Sequence, residues 1–466
     1  MNNNLILNTD SYKASHFLQY PPGTEYVSSY IESRGGRYPK TLFFGLQAFL
    51  KRYLAAPVTA DDIDEAETLL STHGLTFNRE GWRYILEQYG GYLPLSISAV
   101  PEGSLIPTGN VLLQVVNTDP AVPWLTSYLE TALLRAVWYP TTVATFSFQV
   151  RRLIKGYLEE TADSSEGLAF KLHDFGARGA SSNETAALGG LAHLLSFQGT
   201  DTIAALISAR RWYGAEMAGF SIPAAEHSTI TSWGEENEEA AYRNMLRQFA
   251  GEGRLVAVVS DSYDLWHALD NLWGGVLREE VIRNGGTVVI RPDSGDPVQV
   301  VTETVERLMQ KFGSRKNAKG YRVLPDCLRV IQGDGVNPDS IADILAAMKA
   351  RGQSAENIAF GMGAALLQKV NRDTQRFAMK ASAICIDGQW RDIYKHPVTD
   401  PGKRSKAGRL ALVEDGGVLT TVRLDEAVGD NRLVEVFRDG ELLREWTFEQ
   451  IRERAVNAAD SVGPAN

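Results

Sequence analysis

VAVVSDSYD (256–264), VVIRPDSGD (288–296), LRVIQGDG (328–335) and IAFGMGA (358–364) share one design: a short apolar run that ends at once in Asp or Gly. FKLHDFGARG (170–179) has the same form. The four runs begin at 256, 288, 328 and 358, a spacing that fits a cycle of strand, loop, helix and loop. The segments between them, among them LWHALDNLWGGVLREEVIRN, VQVVTETVERLMQKF and SIADILAAMKAR, carry helical periodicity. Repeated βα units build either an open doubly wound sheet or a closed barrel, and in both the chemistry sits at the C-terminal ends of the strands.

The pattern changes on either side of this core. Residues 1–160 mix helices, expected near 42–53, 61–70 and 82–89, with strands in LSISAVPEGSLIPTGNVLLQVV (95–116), which Pro-Glu-Gly and Pro-Thr-Gly turns interrupt. A helix-rich stretch over 124–160 leads into the polar TADSSEG. Past Ala381, the pairs Asp387-Gly388, Asp415-Gly416 and Asp439-Gly440 each sit between alternating runs, which is a hairpin signal, and a helix near 448–455 closes the chain.

Composition narrows the class. The chain has 466 residues, of which 44% are hydrophobic and 22% charged, enough for a large core. The N-terminus lacks the basic start of a signal peptide, and no stretch approaches the roughly 20 apolar residues of a membrane span. The two cysteines, Cys327 and Cys385, are expected as reduced thiols, and a cytoplasmic address is expected with them. A net charge of -10 argues against nucleic acid or a membrane surface as partner. One segment departs from this balance: KHPVTDPGKRSKAGR (395–409) carries five Lys or Arg against Asp400, either a solvated loop or a footprint for a small anion.

The strand-end turns have the parts of a phosphate-handling site. Arg291-Pro292-Asp293-Ser294-Gly295-Asp296 places a carboxylate and an unhindered turn after an apolar run, and Gly333-Asp334-Gly335 repeats the pairing one strand later. Asp can accept hydrogen bonds from a ribose diol or meet Mg²⁺, and Gly lets backbone N–H groups approach phosphate oxygens. His227, in PAAEHST (223–229), follows Gly, Ser and Pro; it is read either as a capping or core residue or as an acid, base or phosphoryl acceptor. His173, inside KLHDFG, is read as structural. Walker, zinc-protease, Cys-x2-Cys and Gly-x-Ser-x-Gly signatures are absent, and Leu366 takes the third-glycine place of a dinucleotide fingerprint after Gly361 and Gly363.

Taken in order, NTDSYK (8–13), KLHDFGARG (171–179), GTDT (199–202), PAAEHSTI (223–230), VVSDSYD (258–264), RPDSGDP (291–297), RVIQGDGV (329–336) and DPGKRSKAGR (400–409) resemble the nicotinamide phosphoribosyltransferase family over nearly the whole chain. The resemblance implies a (β/α) barrel-like core of the type II pyridine phosphoribosyltransferase kind at 161–385. A flanking α/β domain would be formed by both chain ends, the 1–160 part packing with the β-rich 386–466 part. It implies union of nicotinamide with 5-phosphoribosyl-1-pyrophosphate in NAD biosynthesis, giving the mononucleotide and pyrophosphate, with Mg²⁺ and ATP, in a homodimer with shared sites. Phe175 and the partner's Tyr12 would sandwich the pyridine ring, and Asp201 would accept from the carboxamide NH2 while repelling nicotinate. Arg178 and Arg291 would line the base and sugar region, Asp293, Gly333 and Asp334 the ribose, and Gly363 and Arg372 the 5′-phosphate. Arg34, Lys380, Lys395 and Lys403 would meet pyrophosphate or ATP from the neighbouring chain. His227 resembles the family's phosphorylated histidine, with Glu226 and Asp261 to orient it. Where the family continues with glycines after Gly363, this chain has Ala364 and Ala365.

Three other readings use the same residues. A nicotinate phosphoribosyltransferase would share the fold and the histidine, with a basic or neutral group in place of Asp201. An aldolase-like barrel would form a Schiff base at Lys171. A non-catalytic binding protein on this scaffold would have lost Asp201, His227 or Asp293, and all three are present.

Overall fold

β-branched and aromatic runs without a polar face form strands buried on both sides, and the five apolar runs behave in this way. In the computed structural model, which describes residues 4–399 and 404–461, they become Leu172–Asp174, Leu255–Val259, Thr287–Arg291, Leu328–Gln332 and Ile358–Met362. With Gly199–Thr200 they make a parallel six-stranded sheet. Its order runs from Gly199–Thr200 through Leu172–Asp174, Ile358–Met362, Leu328–Gln332 and Thr287–Arg291 to Leu255–Val259.

The two edges of this sheet are joined by residues 220–225. Phe220 bridges to Gly199 and Ala224 to Ala257, both in parallel. The Phe220 N–H donates to Gln198 O (2.7 Å) and the Ala257 N–H to Pro223 O (2.9 Å). This segment closes the sheet into a barrel, whose interior holds Ala257, Val289 and Ile331 with Phe175, Ile222 and Ala359 against them. Several of these side chains are small for a barrel interior, and a cavity of about 990 Å³ runs among them.

Helices Pro297–Phe312 and Pro338–Ala350 return the chain between strands, and each starts on a capping side chain. Asp296 accepts from the Gln299 N–H (2.9 Å), and Asn337 accepts from the Asp339 N–H (3.0 Å). Asp296 of the RPDSGD turn is therefore a helix cap, and only Asp293 of that motif faces the site.

The chain divides into two compact units, one of Met1–Thr145, Ser208–Ala215 and Asn371–Ala458, the other of Phe146–Ile207, Glu216–Val370 and Ala459–Asn466. The barrel lies in the second. The first holds a seven-stranded antiparallel sheet drawn from both chain ends, in the order Gln389–Asp392, Phe377–Ile386, Thr24–Ser33, Val111–Asn117, Leu95–Ala99, Val434–Arg438, Glu441–Leu442. Its core includes Tyr30, Phe43, Trp82, Trp124 and Tyr128, with Trp82 edge-on to Trp124 at 5.0 Å.

These units revise the expected boundaries. The division falls inside the helix Glu130–Thr161 rather than at its end, and the return comes at Asn371 rather than near 385. The reason is pairing: Phe377–Ile386 lies antiparallel to Thr24–Ser33, with Ser33 opposite Phe377 and Val27 opposite Ile384, so it belongs to the first sheet. The helix expected at 42–53 begins at Leu46 and ends in a wide π turn, Leu50–Leu54.

All three expected hairpins form. Asp387-Gly388 and Asp439-Gly440 turn with both residues at positive φ (50° and 75°; 48° and 95°), the two-residue geometry that matches strand twist. In the third, Asp415 is the last strand residue, opposite Val418, and Gly416 and Gly417 make the turn at φ 55° and 81°. Among the described residues no helix is long and apolar enough to cross a membrane.

Candidate active site

At the C-terminal rim of the barrel, successive strands deliver Phe175, Asp201, Asp261, Arg291, Asp293, Gly333 and Gly363. The Phe175 N–H donates to Met362 O (3.0 Å), which fixes the turn after Leu172–Asp174. Its ring lies directly on Gly361, where a Cβ would come within 2.0 Å of the ring, so only glycine fits there. The Arg291 guanidinium stands 5.9 Å from the centre of the same ring. Phe175, Arg178, Asp201 and Arg291 all line the barrel cavity.

Asp201 begins the loop after Gly199–Thr200. Its N–H donates to Asp174 O (3.0 Å), and its carboxylate accepts from Ser221 Oγ (2.5 Å) on the segment that closes the barrel. Asp174 is fully buried and accepts from the Gly176 N–H (2.7 Å) and Thr200 Oγ1 (3.4 Å). Burial pushes its carboxyl pKa above the usual range, against the pull of the Thr202 hydroxyl, the Gly176 N–H and the Thr200 hydroxyl.

Arg291 and Asp293 form an ion pair across the turn, with Nη2 2.7 Å and Nε 2.9 Å from Oδ1. Gly333 packs beside them, since a Cβ there would lie 3.1 Å from both Arg291 Nε and Asp293 Oδ1. The buried Gln332 amide donates to the carbonyls of Asp293 (3.0 Å) and Asp334 (2.9 Å) and so ties the two aspartate turns together.

His227 stands over this pair. Its Nε2 lies 3.5 Å from Asp293 Oδ2 and 3.6 Å from Asp261 Oδ1, and its Nδ1 is 3.2 Å from Ser262 Oγ. The Asp261 side chain is only 4% exposed, with Oδ2 accepting from the Ser294 N–H (2.7 Å) and Oδ1 without a hydrogen-bond partner. Glu226, expected to orient the imidazole, instead accepts from Ser228 Oγ at the start of the helix His227–Thr231. The histidine's neighbours are thus Asp261, Asp293 and Ser262. A carboxylate one residue away on a helix points along a different direction from the ring.

Among the described residues no group of three or more His, Cys, Asp or Glu side chains is placed to hold a metal ion by itself. Mg²⁺ carried on a polyphosphate keeps several waters and needs only one or two carboxylates. The unpartnered Asp261 Oδ1 and the adjacent Asp293 fit that need.

Gly363 opens the short helix Ala364–Leu367. Ala364 lies against Gly179, where a Cβ would meet the Ala364 methyl at 2.9 Å, so glycine on the facing turn makes room for the added methyl group. His173, read as structural, lines the cavity; burial lowers its pKa, and Nε2 is 2.9 Å from Phe170 O.

Of the remaining expected residues, Tyr12, Arg34, Arg372, Lys380 and Lys395 lie in the first unit, where Tyr12 and Lys380 line a concavity of about 340 Å³ with Lys13 and Glu130. Tyr12 is 57% exposed. Glu130 pairs with Lys13 (2.6 Å) and reaches Lys380 at 3.9 Å; burial lowers the Lys380 pKa and Glu130 opposes it. Arg34 donates to the buried Glu32 (2.9 Å), which also meets Lys406 (3.3 Å), and Arg34 Nη2 is buried without a partner. The Lys395 N–H donates to Ser405 Oγ (2.7 Å), pinching the basic loop at its base, and Arg372 is exposed beside Asp373. Lys403 lies outside the described residues.

Sequence reasoning passed over Asp174, Gln332 and Ser221. The first two sat inside quoted motifs, and their signal was a polar residue within an otherwise apolar strand end. Ser221 carried none, because its partner lies twenty residues away in another loop.

A barrel with this rim belongs to a known class of transferases. Residues 170–441 match the model of the nicotinate phosphoribosyltransferase (NAPRTase) family, and the chain belongs to that family. Within it, residues 4–97 match the model of the nicotinamide phosphoribosyltransferase N-terminal domain. The chain is 58% identical over 460 residues, 97% of its length and 98% of the relative's, to a nicotinamide phosphoribosyltransferase of Xanthomonas campestris pv. campestris. It is 33% identical, over 98% of both chains, to one of Acinetobacter baylyi. The crystal structure of human nicotinic acid phosphoribosyltransferase has the same fold, with a TM-score of 0.65 at 17% identity over 98% of this chain and 94% of that one.

Proposed function

We propose that this protein joins nicotinamide to 5-phosphoribosyl-1-pyrophosphate, giving nicotinamide mononucleotide and pyrophosphate for NAD biosynthesis. The observation that carries the reading is Asp201 at the cavity wall shared with Phe175, with one carboxylate oxygen accepting from Ser221 and further lone pairs free. A carboxylate there accepts from a carboxamide NH2 and repels a carboxylate substrate, so it favours nicotinamide over nicotinate.

The pyridine nitrogen attacks as a neutral base with no proton to lose, so the transfer needs placement and charge stabilisation rather than a strong general base. Phe175 holds the ring plane, with Tyr12 of a second copy on the other face in a homodimer. Arg178 and Arg291 bound the base and sugar region, and Asp293, Gly333 and Asp334 hold the ribose while its C1 gains positive character. Gly363 and Arg372 take the 5′-phosphate, and Arg34, Lys380, Lys395 and Lys403 of the second copy receive the departing pyrophosphate. Asp261 and Asp293 would hold Mg²⁺, which when bound neutralises polyphosphate charge. His227, held by Ser262, takes the γ-phosphoryl group of ATP as ADP leaves; water later releases phosphate, and this coupling favours mononucleotide formation. The enzyme works in the cytoplasm.

The test combines pure protein, phosphoribosyl pyrophosphate and Mg²⁺ with nicotinamide or nicotinate, with and without ATP, and measures mononucleotide. Nicotinamide is expected to be the faster substrate and ATP to stimulate. Faster turnover of nicotinate overturns the specificity, and no product from either base overturns the activity. Asp201→Asn is expected to narrow the preference for the amide about tenfold or more, the scale of one lost charged hydrogen bond.

A further inference from the structure

We propose that Asp174, buried beneath the rim, is a positioning residue that sets the spacing between the aromatic floor and the amide-selecting carboxylate, and so determines selection among pyridine substrates. The inference rests on the nicotinamide reading above and deepens it. Asp174 has no exposed surface, so it cannot itself touch a substrate. Its three acceptor atoms are each spent on one of the two turns that form the base pocket. Oδ1 receives the Gly176 N–H (2.7 Å), immediately after Phe175. Oδ2 faces Thr200 Oγ1 (3.4 Å), and the main-chain oxygen receives the Asp201 N–H (3.0 Å).

The residue type matters because every group presented to it is a donor. Thr200 Oγ1 already accepts from the Thr202 N–H (3.0 Å), so its own proton is free to point at Asp174. A carboxylate accepts at both oxygens at once, whereas an amide in the same place must turn its NH2 toward one of two donors. The site is also closed from behind: a Cβ at Gly190, on the helix Asn183–His193, would lie 2.9 Å from Asp174 Oδ2, so the helix backbone itself seals the carboxylate. Strands Leu172–Asp174 and Gly199–Thr200 pair only through His173–Gly199 and Asp174–Thr200, which is little ladder to hold two loops in register. The Asp174 side chain supplies what the short ladder lacks.

Substitution should loosen the two turns relative to each other while leaving the strands that carry the ribose and phosphate groups alone. In Asp174→Asn, KM for nicotinamide is expected to rise about tenfold and the nicotinamide-to-nicotinate ratio of kcat/KM to fall about tenfold, since sub-ångström misplacement of a positioning group carries effects of that order. KM for phosphoribosyl pyrophosphate is expected to stay within about twofold. Thr200→Val, which removes that donor together with the acceptor of the Thr202 N–H and keeps the shape, should shift the same two quantities in the same direction by about threefold, and it decides the matter if the first variant does not fold. Both KM values rising together, or a lowered Tm with an unchanged base ratio, overturns the positioning role and leaves a purely structural one. If the unaltered protein makes no mononucleotide from nicotinamide, the functional reading has failed; if it does and the variants leave the base ratio unchanged, only this inference has.

Discussion

The two ends of the barrel use their charged residues differently. At the N-terminal end, Lys171 Nζ donates to the carbonyls of Ala355 (3.3 Å), Glu356 (2.9 Å) and Ile358 (2.8 Å), which uses all three ammonium protons. Arg329 donates to Leu328 O (2.6 Å) and Pro325 O (3.1 Å) and pairs with Asp326 and Glu356. At the C-terminal end, Asp261 Oδ1 is buried without a partner, and His227 stands 3.5 to 3.6 Å from two carboxylates, too far for a good hydrogen bond to either. Spent valences hold strands together, and unspent ones await a substrate. This is the usual division of labour between the two faces of an α/β barrel.

The same contrast bears on Lys171 as a Schiff-base nucleophile. Burial lowers its pKa to about 7, which alone would favour a reactive amine. Lys171 lines the barrel cavity, but the three carbonyls stabilise its charged form and engage all three of its protons. Geometry therefore gives Lys171 a structural task.

The largest expected effect tests the rim. Asp293→Ala removes the partner of Arg291 and one of the two carboxylates facing His227, and kcat/KM for phosphoribosyl pyrophosphate should fall roughly 10²–10³-fold in steady-state assays. A loss below about fivefold would mean that these open valences are not part of the machinery. At the other end, Lys171→Met should lower stability by about 1–3 kcal/mol in a urea titration, because three buried carbonyls lose their donor, while kcat/KM changes by less than about twofold. Lost transfer at unchanged stability would erase the distinction between the ends. Within the rim, a smaller effect on transfer than that of Asp293→Ala is expected for His227→Ala: ATP stimulation disappears, while turnover without ATP falls by less than about tenfold. An equal loss with and without ATP would place the histidine in the glycosyl transfer step.

Much of the site was legible because its signal is local. An apolar run followed by Asp or Gly reports a strand and the turn at its end, and both depend on neighbours within a few residues. Asp293 and Asp334 were read in this way, whereas the role expected of Phe175 came from the family resemblance. The hairpins were equally legible, except that in the third the turn passed to Gly416 and Gly417, since two consecutive glycines reach positive φ with less strain than aspartate followed by one. Glu226 misled because closeness in sequence was taken for closeness in space. Ser221 and Ser262 were missed because their partners, Asp201 and His227, are twenty or more residues distant.

By itself, the sequence determined the parallel βα core, the turns at its strand ends, and the family. Short-range pattern is enough for these, since periodicity and turn chemistry are properties of adjacent residues. Tertiary structure alone decided that Phe377–Ile386 pairs with Thr24–Ser33 rather than joining the barrel, that residues 220–225 close it, and that Asp174 and Gln332 bind separate turns into one rim. Each of those depends on which distant backbone offers a free donor or acceptor, and that choice is made only when the whole chain has folded.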